Sequence, residues 1–440
     1  MQLFGPGLVL ACAGVILGAS AGYSQSLDPA PIYNGSPLED DGITGDWGGL
    51  RTTLAENGVA VSGKYFGEFG ANVYGGGGTG ARWAQEANLL SVIDLDRLVS
   101  LKGGTARVLI ERRDGRSITQ DKIGNLINTQ EIYGAGLDTR LAEANYSQVL
   151  FGGAVTTKVG RWAPGNDFGS EPLACNFQSN EICGHTVALS NNSGFRNNPV
   201  ALWGALVRAK LKRTMYAQVA AYRVNPDAAN HGNGFDLNWS GTGYIIPFEI
   251  GFGSGVARKK PGSMKFGGYY DTSTVSDVKT DVWGEEAGVS GLPLIQRTGR
   301  WGLYAQADET VWADTAAGRS LALFGVIAYG DPHTAHFLAS MEAGAVVMGV
   351  LRSRPHDYLG AALGHIIVNP SLTAFQEAEL KAGRTRLRPQ TTETLLELDY
   401  GARIISSSIL RPDIQIIFRP GARGDLRPAV VPGFTTIISL

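Results

Sequence analysis

The chain has 440 residues, with 38 lysines and arginines against 40 aspartates and glutamates, so its formal net charge is -2. So balanced a composition creates no field that would attract nucleic acid or an anionic membrane surface, and we expect neither as a partner bound by overall charge. The 60 glycines, interspersed with aromatic and β-branched residues, favour many short strands joined by turns, and therefore an all-β protein.

Residues 1–21 have the pattern of an export signal. An apolar segment runs from Leu8 to Leu17, and the small residues Ala19, Ser20 and Ala21 then form a cleavage site. A buried N-terminal helix is the alternative, but the segment is rich in glycine and leads into the linker-like sequence SQSLDPAPIYNGSPLEDDG. We therefore expect residues 1–21 to be a signal peptide.

A short helix is predicted between this linker and the first strand. Asp46 can cap the segment WGGLRTTLAENG, and Gly58 can end it in the left-handed conformation that glycine tolerates. Residues 22–58 are thus predicted to comprise the linker and a short periplasmic helix, and residues 59–440 to form the main domain.

Apolar and polar side chains alternate in many segments of the main domain, as they do along a strand with two different faces. In TETLLELDYGA, one face carries Leu396, Leu398 and Tyr400. The other face carries Glu393, Glu397 and Asp399. The same alternation occurs in VAVSGKYFGEFGANV, TARVLIER, RPDIQIIF and VVPGFTTIISL.

Alternation alone does not distinguish a soluble β-sandwich from a membrane barrel, because the two differ only in which face is turned inward. The number of strands, the charged residues on their polar faces and the lack of a recognisable second domain favour the barrel. At about 24 residues per strand and connection, the mature chain accommodates roughly 16 antiparallel strands. The polar segments Ser170 to Asn198, Asn225 to Ser240 and Asp277 to Gly299 are predicted to be extracellular loops.

Two cysteines remain after removal of the signal, Cys175 and Cys183 in CNFQSNEIC. An oxidising compartment would pair them, and His185 alone is too little to complete a zinc site, so a disulfide that closes a short loop is favoured. We expect no metal and no cofactor in this protein.

The motifs of the chain resemble those of the carbohydrate-selective outer-membrane porin family of OprB type. GDWGGLRTTLAENG resembles the N-terminal signature of that family, and KVGRWAPGNDF with CNFQSNEICG matches its best-known segment closely. The other matching motifs follow in the expected order: QEIYGAG, RLAEANYSQ, ALWGA, YRVNP, GRSLALFG, RSRPHDYLG and RPDIQIIFRPG. The resemblance covers Gly45 to Leu440.

This resemblance implies a 16-stranded antiparallel barrel in the bacterial outer membrane that passes monosaccharides such as glucose by diffusion. It also implies contact with outer-membrane lipid and with the barrel-assembly machinery, in a monomer or a homo-oligomer. The apolar residues of the alternating segments would then face lipid, and the carboxylates a water-filled lumen. The residues predicted to face lipid are Leu396, Leu398, Tyr400, Ile414, Ile416 and Phe418.

Sugar recognition calls for charged groups that bridge neighbouring hydroxyls and for an aromatic face, and the family has arginines, acidic residues and a tryptophan at its constriction. The planar fork of arginine suits this task because it donates to two acceptors at once. Alternation places Arg107, Glu111, Arg113 and Glu143 toward the lumen, and puts Lys158 and Trp162 on one polar face. Arg140 and Arg161 are candidates from the family motifs alone, without an assigned orientation.

Two alternatives remain open from the sequence. The first is a porin of the same fold that passes other small polar solutes, such as polyols or organic acids. The second is a secreted, soluble β-rich carbohydrate-binding protein. An enzyme is not expected, since neither the HTAH segment nor the scattered GxS segments provide a positioned nucleophile and base.

Overall fold

The computed structural model describes residues 42–253, 261–314 and 316–440. The predicted signal peptide lies outside these residues, as does the linker up to residue 41. Within the described ranges, sixteen antiparallel strands form one closed barrel, in which each strand pairs with its neighbours in the sequence and the first pairs with the last. The prediction of a 16-stranded antiparallel barrel is confirmed.

The strands are β1 (Val59–Asn72), β2 (Gly80–Asp94), β3 (Gly104–Gly115), β4 (Thr139–Leu150), β5 (Val155–Trp162), β6 (Leu202–Lys212), β7 (Met215–Val224), β8 (Gly243–Gly253), β9 (Gly262–Asp281), β10 (Leu294–Asp314), β11 (Arg319–Gly330), β12 (Phe337–Met348), β13 (Tyr358–Val368), β14 (Thr392–Ile405), β15 (Ser408–Phe418) and β16 (Ala429–Ser439). The helices are α1 (Leu50–Glu56), α2 (Leu95–Val99), α3 (Val187–Ser190), α4 (Ala287–Ser290) and α5 (Pro370–Lys381). Among the described residues, none of the helices is long and apolar enough to cross a membrane.

The predicted N-terminal helix is present as a 3-10 turn, Trp47–Gly49, followed by α1. The Asp46 carboxylate accepts hydrogen bonds from both the backbone N–H and the hydroxyl of Thr52, at 2.8 and 2.9 Å. Gly58 follows the helix with φ +88°, a conformation in which a side chain would be strained. The helix and its end at Gly58 are confirmed, whereas the N-cap position of α1 is Gly49 and Asp46 lies at the start of the 3-10 turn.

The connections differ in length at the two ends of the barrel. At the end that bears α1, strands are joined by short turns, such as residues 213–214 and 406–407. At the opposite end, residues 116–138, 163–201 and 369–391 form long connections. Outer-membrane barrels have short periplasmic turns and long extracellular loops, so this second end is the extracellular one.

One predicted loop is shorter than expected. Both ends of the segment from Asp277 to Gly299 belong to β9 and β10, which stay paired as far as Leu294 and Asp281, and only residues 282–293 form the connection. The polar composition of this segment reflects its position in water beyond the membrane, and it is compatible with strand pairing as well as with a loop.

Strand β14 shows which face of the barrel is turned outward. Leu398 is 53% exposed, whereas Glu397 beside it is 1% exposed. Leu396, Ile414 and Phe418 are also exposed, on the same outer surface. Outward apolar residues and inward carboxylates are the reverse of a soluble β-protein, as expected for strands in contact with lipid.

We predict that Leu398→Arg lowers the free energy of unfolding by about 2–4 kcal/mol, because a guanidinium would replace an apolar side chain in the middle of a lipid-facing strand. Leu398→Ile serves as the control, since it keeps the side chain apolar. Unfolding by urea after refolding into phospholipid vesicles measures both variants. Equal stabilities would mean that this face is not in contact with lipid.

Candidate functional site in the barrel lumen

Two extracellular connections fold back into the barrel. We name residues 116–138, between β3 and β4, loop A, and residues 163–201, between β5 and β6, loop B. Loop B has its own apolar core, which packs against inward-facing wall residues such as Tyr222, Phe324 and Tyr358. Its fully buried large side chains are Phe168, Phe177, Ile182, Leu189 and Phe195. Loop B was predicted to be an extracellular loop. It does begin and end on the extracellular side, but it folds inward and fills a large part of the lumen.

Carboxylates of the barrel wall hold these loops in place. Glu249 on β8 accepts a hydrogen bond from the backbone N–H of Gly169 in loop B at 3.0 Å. The same carboxylate accepts from the hydroxyls of Tyr216 and Tyr304, both at 2.6 Å, and from the amide of Gln218 at 2.9 Å. Four donors thus surround one buried anion, and one of them belongs to the loop.

Glu397 on β14 has the same role for the middle of loop B. Its carboxylate accepts from the backbone N–H of Gln178 at 2.6 Å and from that of Ser179 at 3.2 Å. The lumenal face of TETLLELDYGA was predicted to be in water, but Glu397 is instead buried beneath the loop that it binds. Its orientation toward the lumen is confirmed, and its solvation is not.

A disulfide joins Cys175 and Cys183 on either side of this contact, with their Cα atoms 4.2 Å apart. From β15, Arg411 donates to the carbonyl oxygen of Cys175 at 2.9 Å. The disulfide loop, residues 175–183, is therefore attached to the wall through both backbone N–H and carbonyl groups. It lies inside the barrel and not on its outer rim.

Loop A is attached in a similar way. Glu393 accepts from the backbone N–H of Leu126 at 2.9 Å and from that of Gly421 at 2.6 Å. Glu68 on β1, three strands along the wall from β14, accepts from the N–H of Ile132 at 3.2 Å. Loop A thus follows the wall from β14 to β1, and its Ile118, Ile123 and Ile127 pack into the same apolar clusters as loop B.

The predicted residues of β3 form a row of ion pairs on the lumenal face. Arg107 pairs with Glu143 of β4 at 3.0 Å. Arg113 pairs with Glu111 at 2.7 Å and with Glu86 of β2 at 2.8 Å. The structure therefore brings Arg107, Glu111, Arg113 and Glu143 together along one side of the lumen, with Glu86 as an additional member.

Asparagines of loop B lie against this row of charges. Asn198 donates to Glu111 at 2.6 Å, and Asn166 donates to Glu143. The side chain of Arg107 is 13% exposed, whereas that of Glu143 is 3% exposed. In this pair the guanidinium is thus the group that water or a solute can reach.

Lys158 and Trp162 do share the lumenal face of β5, but they pack with each other. The Lys158 ammonium lies 4.7 Å from the centre of the Trp162 ring, and both side chains bind Asp167 of loop B, at 2.9 and 2.6 Å. Trp162 is 0% exposed and lies edge-on to Tyr222. In this arrangement no face of the ring is available to stack on a sugar, so Trp162 supports loop B.

Arg140 and Arg161 do not join the row on β3. Arg140 pairs with Asp138 at 2.7 Å and donates to the carbonyl oxygen of Ala228, in the connection between β7 and β8. Arg161 follows the alternation onto the face opposite to Trp162, and its guanidinium donates to the carbonyl oxygen of Leu141 at 3.2 Å. Both guanidinium groups are engaged with backbone carbonyls, so in this structure they stabilise connections between strands.

Sequence reasoning missed Glu86 and the loop asparagines Asn166 and Asn198. The alternation of β2 contains the signal for Glu86, because Ala84, Glu86 and Asn88 fall on one face. Nothing in a polar loop segment indicates that its side chains reach a strand that lies tens of residues away.

The profile of the family "Carbohydrate-selective porin, OprB family" matches residues 78–440. Porin B of Pseudomonas aeruginosa is 31% identical over 97% of this chain and 95% of that protein, and "Putative porin QuiX" of Acinetobacter baylyi is 28% identical over 89% and 92%. The high-pH structure of Pseudomonas putida OprB superimposes with a TM-score of 0.88 and 30% identity, covering 91% of this chain and 99% of that one. These relatives are outer-membrane porins, so the soluble carbohydrate-binding alternative is wrong.

We predict that Glu397→Gln loosens the disulfide loop. Glutamine keeps one acceptor oxygen but places an NH2 group where the second oxygen faced the N–H of Ser179. Because a hydrogen bond contributes about 0.5–1.5 kcal/mol, amide exchange at Gln178 and Ser179 should accelerate by roughly twofold to tenfold. Glu377→Gln, an exposed change on α5, is the control. Unchanged exchange in Glu397→Gln would contradict the role of this carboxylate.

A second prediction concerns pH. Burial lowers the pKa of His185 in loop B from its usual 6.5 to about 4, and its neutral ring donates to the Gly165 carbonyl oxygen at 2.8 Å. The unfolded chain therefore takes up a proton that the folded chain excludes as pH falls from 6.5 toward 4, which destabilises the fold. Between pH 7 and 4.5 this amounts to about 2 kcal/mol. Urea unfolding at the two pH values should show a smaller loss of stability for His185→Gln than for the wild type, and equal losses would contradict the assignment.

Proposed function

This chain belongs to the carbohydrate-selective OprB family of outer-membrane porins, and we propose that it passes monosaccharides such as glucose by diffusion along the β1–β4 side of its lumen. The observation that carries the proposal is the row of ion pairs formed by Arg107, Glu143, Arg113, Glu111 and Glu86. In this proposal the solute passes along this row, where the wall is polar and Arg107 is the most exposed member.

The alternation of guanidinium and carboxylate groups suits a sugar. A hydroxyl group is both a donor and an acceptor of hydrogen bonds, so a sugar that leaves water needs both kinds of partner. Arg107 supplies donors, and Asn166 and Asn198 of loop B add amide groups beside the carboxylates of the row. A solute can therefore exchange its water hydrogen bonds for protein ones step by step, without a large barrier.

The infolded loops support selectivity by size. The apolar core of loop B closes its side of the lumen to water and to polar solutes, which supports a path along the polar wall. A passive channel must also release its solute, so we expect weak binding, with dissociation constants on the order of millimolar or higher. No energy source is needed.

The ion pairs also favour neutral solutes over organic acids. Arg113 lies between two carboxylates, Glu86 and Glu111, so a passing anion would meet negative charge beside the positive charge. Polyols remain a second class of candidate solute, because they present the same hydroxyl groups. Flux measurements with glucose, a polyol and an organic acid of similar size separate these candidates.

The proposed channel needs no second chain, because β1 pairs with β16 within one chain from Lys64 opposite Ser439 to Gly70 opposite Gly433. A monomer and a homo-oligomer are both compatible with this closure. The outward apolar surface would contact outer-membrane lipid, and insertion would require the barrel-assembly machinery.

We predict that Arg107→Ala raises single-channel conductance and weakens block by sugar, because it removes the most accessible donor of the row. Planar-bilayer recording with a glucose titration measures both effects. Glu111→Gln should shift ion selectivity toward anions, since it removes one negative charge from a narrow aqueous path.

Arg112→Ala is the matched control, because Arg112 follows on the same strand but lies on the outer face, where it is exposed and pairs with Asp114. Conductance and sugar block should be unchanged in this variant. If Arg107→Ala and Arg112→Ala both behaved like the wild type, these side chains would line a wide vestibule and the proposed path would be wrong.

A further inference from the structure

Two neighbouring extracellular segments carry an unusual concentration of positive charge. Residues 379–391, which lead from α5 to β14, and residues 419–428, between β15 and β16, together hold seven basic residues and only two acidic ones, Glu379 and Asp425. The whole chain, in contrast, has slightly more acidic than basic residues. We name these two segments the basic patch. Its arginines are Arg384, Arg386, Arg388, Arg419, Arg423 and Arg427.

The two segments form one surface. The backbone N–H of Thr391 donates to the carbonyl oxygen of Ala422 at 2.8 Å. The guanidinium of Arg423 donates to the carbonyl oxygen of Arg388 at 3.1 Å, and that of Arg419 donates to the hydroxyl of Thr391 at 2.6 Å. These contacts hold like charges side by side, which is unfavourable unless an anion binds to them.

Most of this charge is not neutralised within the protein. Arg384 pairs with Glu379 at 2.6 Å. Arg386, Arg388 and Arg427 are exposed, and no carboxylate of the described ranges lies within ion-pair distance of their guanidinium groups. The three therefore remain available to an external partner.

The position of the patch relative to the membrane indicates which kind of partner it binds. Arg419 directly follows Phe418, the last outward-facing residue of β15 and one of the lipid-facing residues. The part of the patch around Arg419 thus lies at the level where the hydrocarbon region ends on the extracellular side and lipid headgroups begin. Leu387 stands between Arg386 and Arg388 and is 57% exposed, which suits a boundary between apolar and polar surroundings.

We propose that the basic patch binds the phosphorylated saccharide headgroup of the glycolipid that forms the outer leaflet of the outer membrane. Guanidinium groups bind phosphate through paired, charge-assisted hydrogen bonds, and clusters of basic residues at a membrane surface recognise anionic headgroups in this way. The arginines take the place of the divalent cations that otherwise bridge neighbouring headgroup phosphates. This inference is independent of the solute that the lumen passes.

The test compares lipids and variants of the full-length protein in detergent. Native mass spectrometry measures the binding of bisphosphorylated lipid A and of the same lipid after removal of its phosphates, in the presence of a chelator. The test variant is Arg386→Gln with Arg388→Gln and Arg427→Gln. The control variant makes the same number of charge changes at the periplasmic turns, in exposed Lys102, Arg213 and Arg352.

We expect the wild type and the control variant to bind the bisphosphorylated lipid with similar affinity and the dephosphorylated lipid at least tenfold more weakly. The test variant should bind the bisphosphorylated lipid roughly 100-fold more weakly than the wild type. The reason is that removal of one or two positive charges weakens the affinity for an anionic headgroup by about tenfold. Block by sugar should be the same in all three proteins, which separates this inference from the proposed function.

Three outcomes would overturn the proposal. Equal affinity for the two lipids would show that apolar contacts alone hold the glycolipid. Equal affinity of the test and control variants would place the binding elsewhere on the barrel. Displacement of the lipid by millimolar inorganic phosphate would identify a site for small anions at the mouth of the channel.

Discussion

The interior of this barrel depends on hydrogen bonds from the backbone N–H groups of infolded loops to carboxylates of the wall. A buried N–H group without an acceptor is costly, and a buried carboxylate without donors is costlier still. Glu249, Glu397, Glu393 and Glu68 each resolve both problems at once by accepting from a loop N–H. The loops can occupy the lumen because the strands present carboxyl acceptors at those points.

This arrangement divides the lumen into two unlike halves. On one side, loop B packs an apolar core against the wall, and its aromatic residues exclude water. On the β1–β4 side, the ion pairs around Arg107 and Arg113 give the wall a polar face, against which asparagines of loop B lie. The outer surface of the same strands is apolar, so each strand separates lipid from either an apolar core or a row of ion pairs.

The candidate site could be predicted from the sequence only in part. Alternation along β3 placed Arg107, Glu111 and Arg113 on one face, because the side-chain period of a strand is two and needs no knowledge of its neighbours. The same reasoning did not show that Trp162 is covered by loop B, or that Arg140 donates to a carbonyl oxygen of Ala228. Those contacts join residues far apart in the chain, and a strand pattern carries no information about what lies across the lumen.

The sequence by itself determined the all-β class, the approximate number of strands, the short helix ended by Gly58 and, through its motifs, the porin family. These follow from local periodicity, turn residues and motif order, which are written along the chain. Only the tertiary structure decided that loops A and B lie inside the barrel and that Glu397 is a buried anchor. The physical reason is that a carboxylate in water and a carboxylate bound to two backbone N–H groups look the same in a sequence. They differ only once the chain has closed and brought Gln178 and Ser179 against β14.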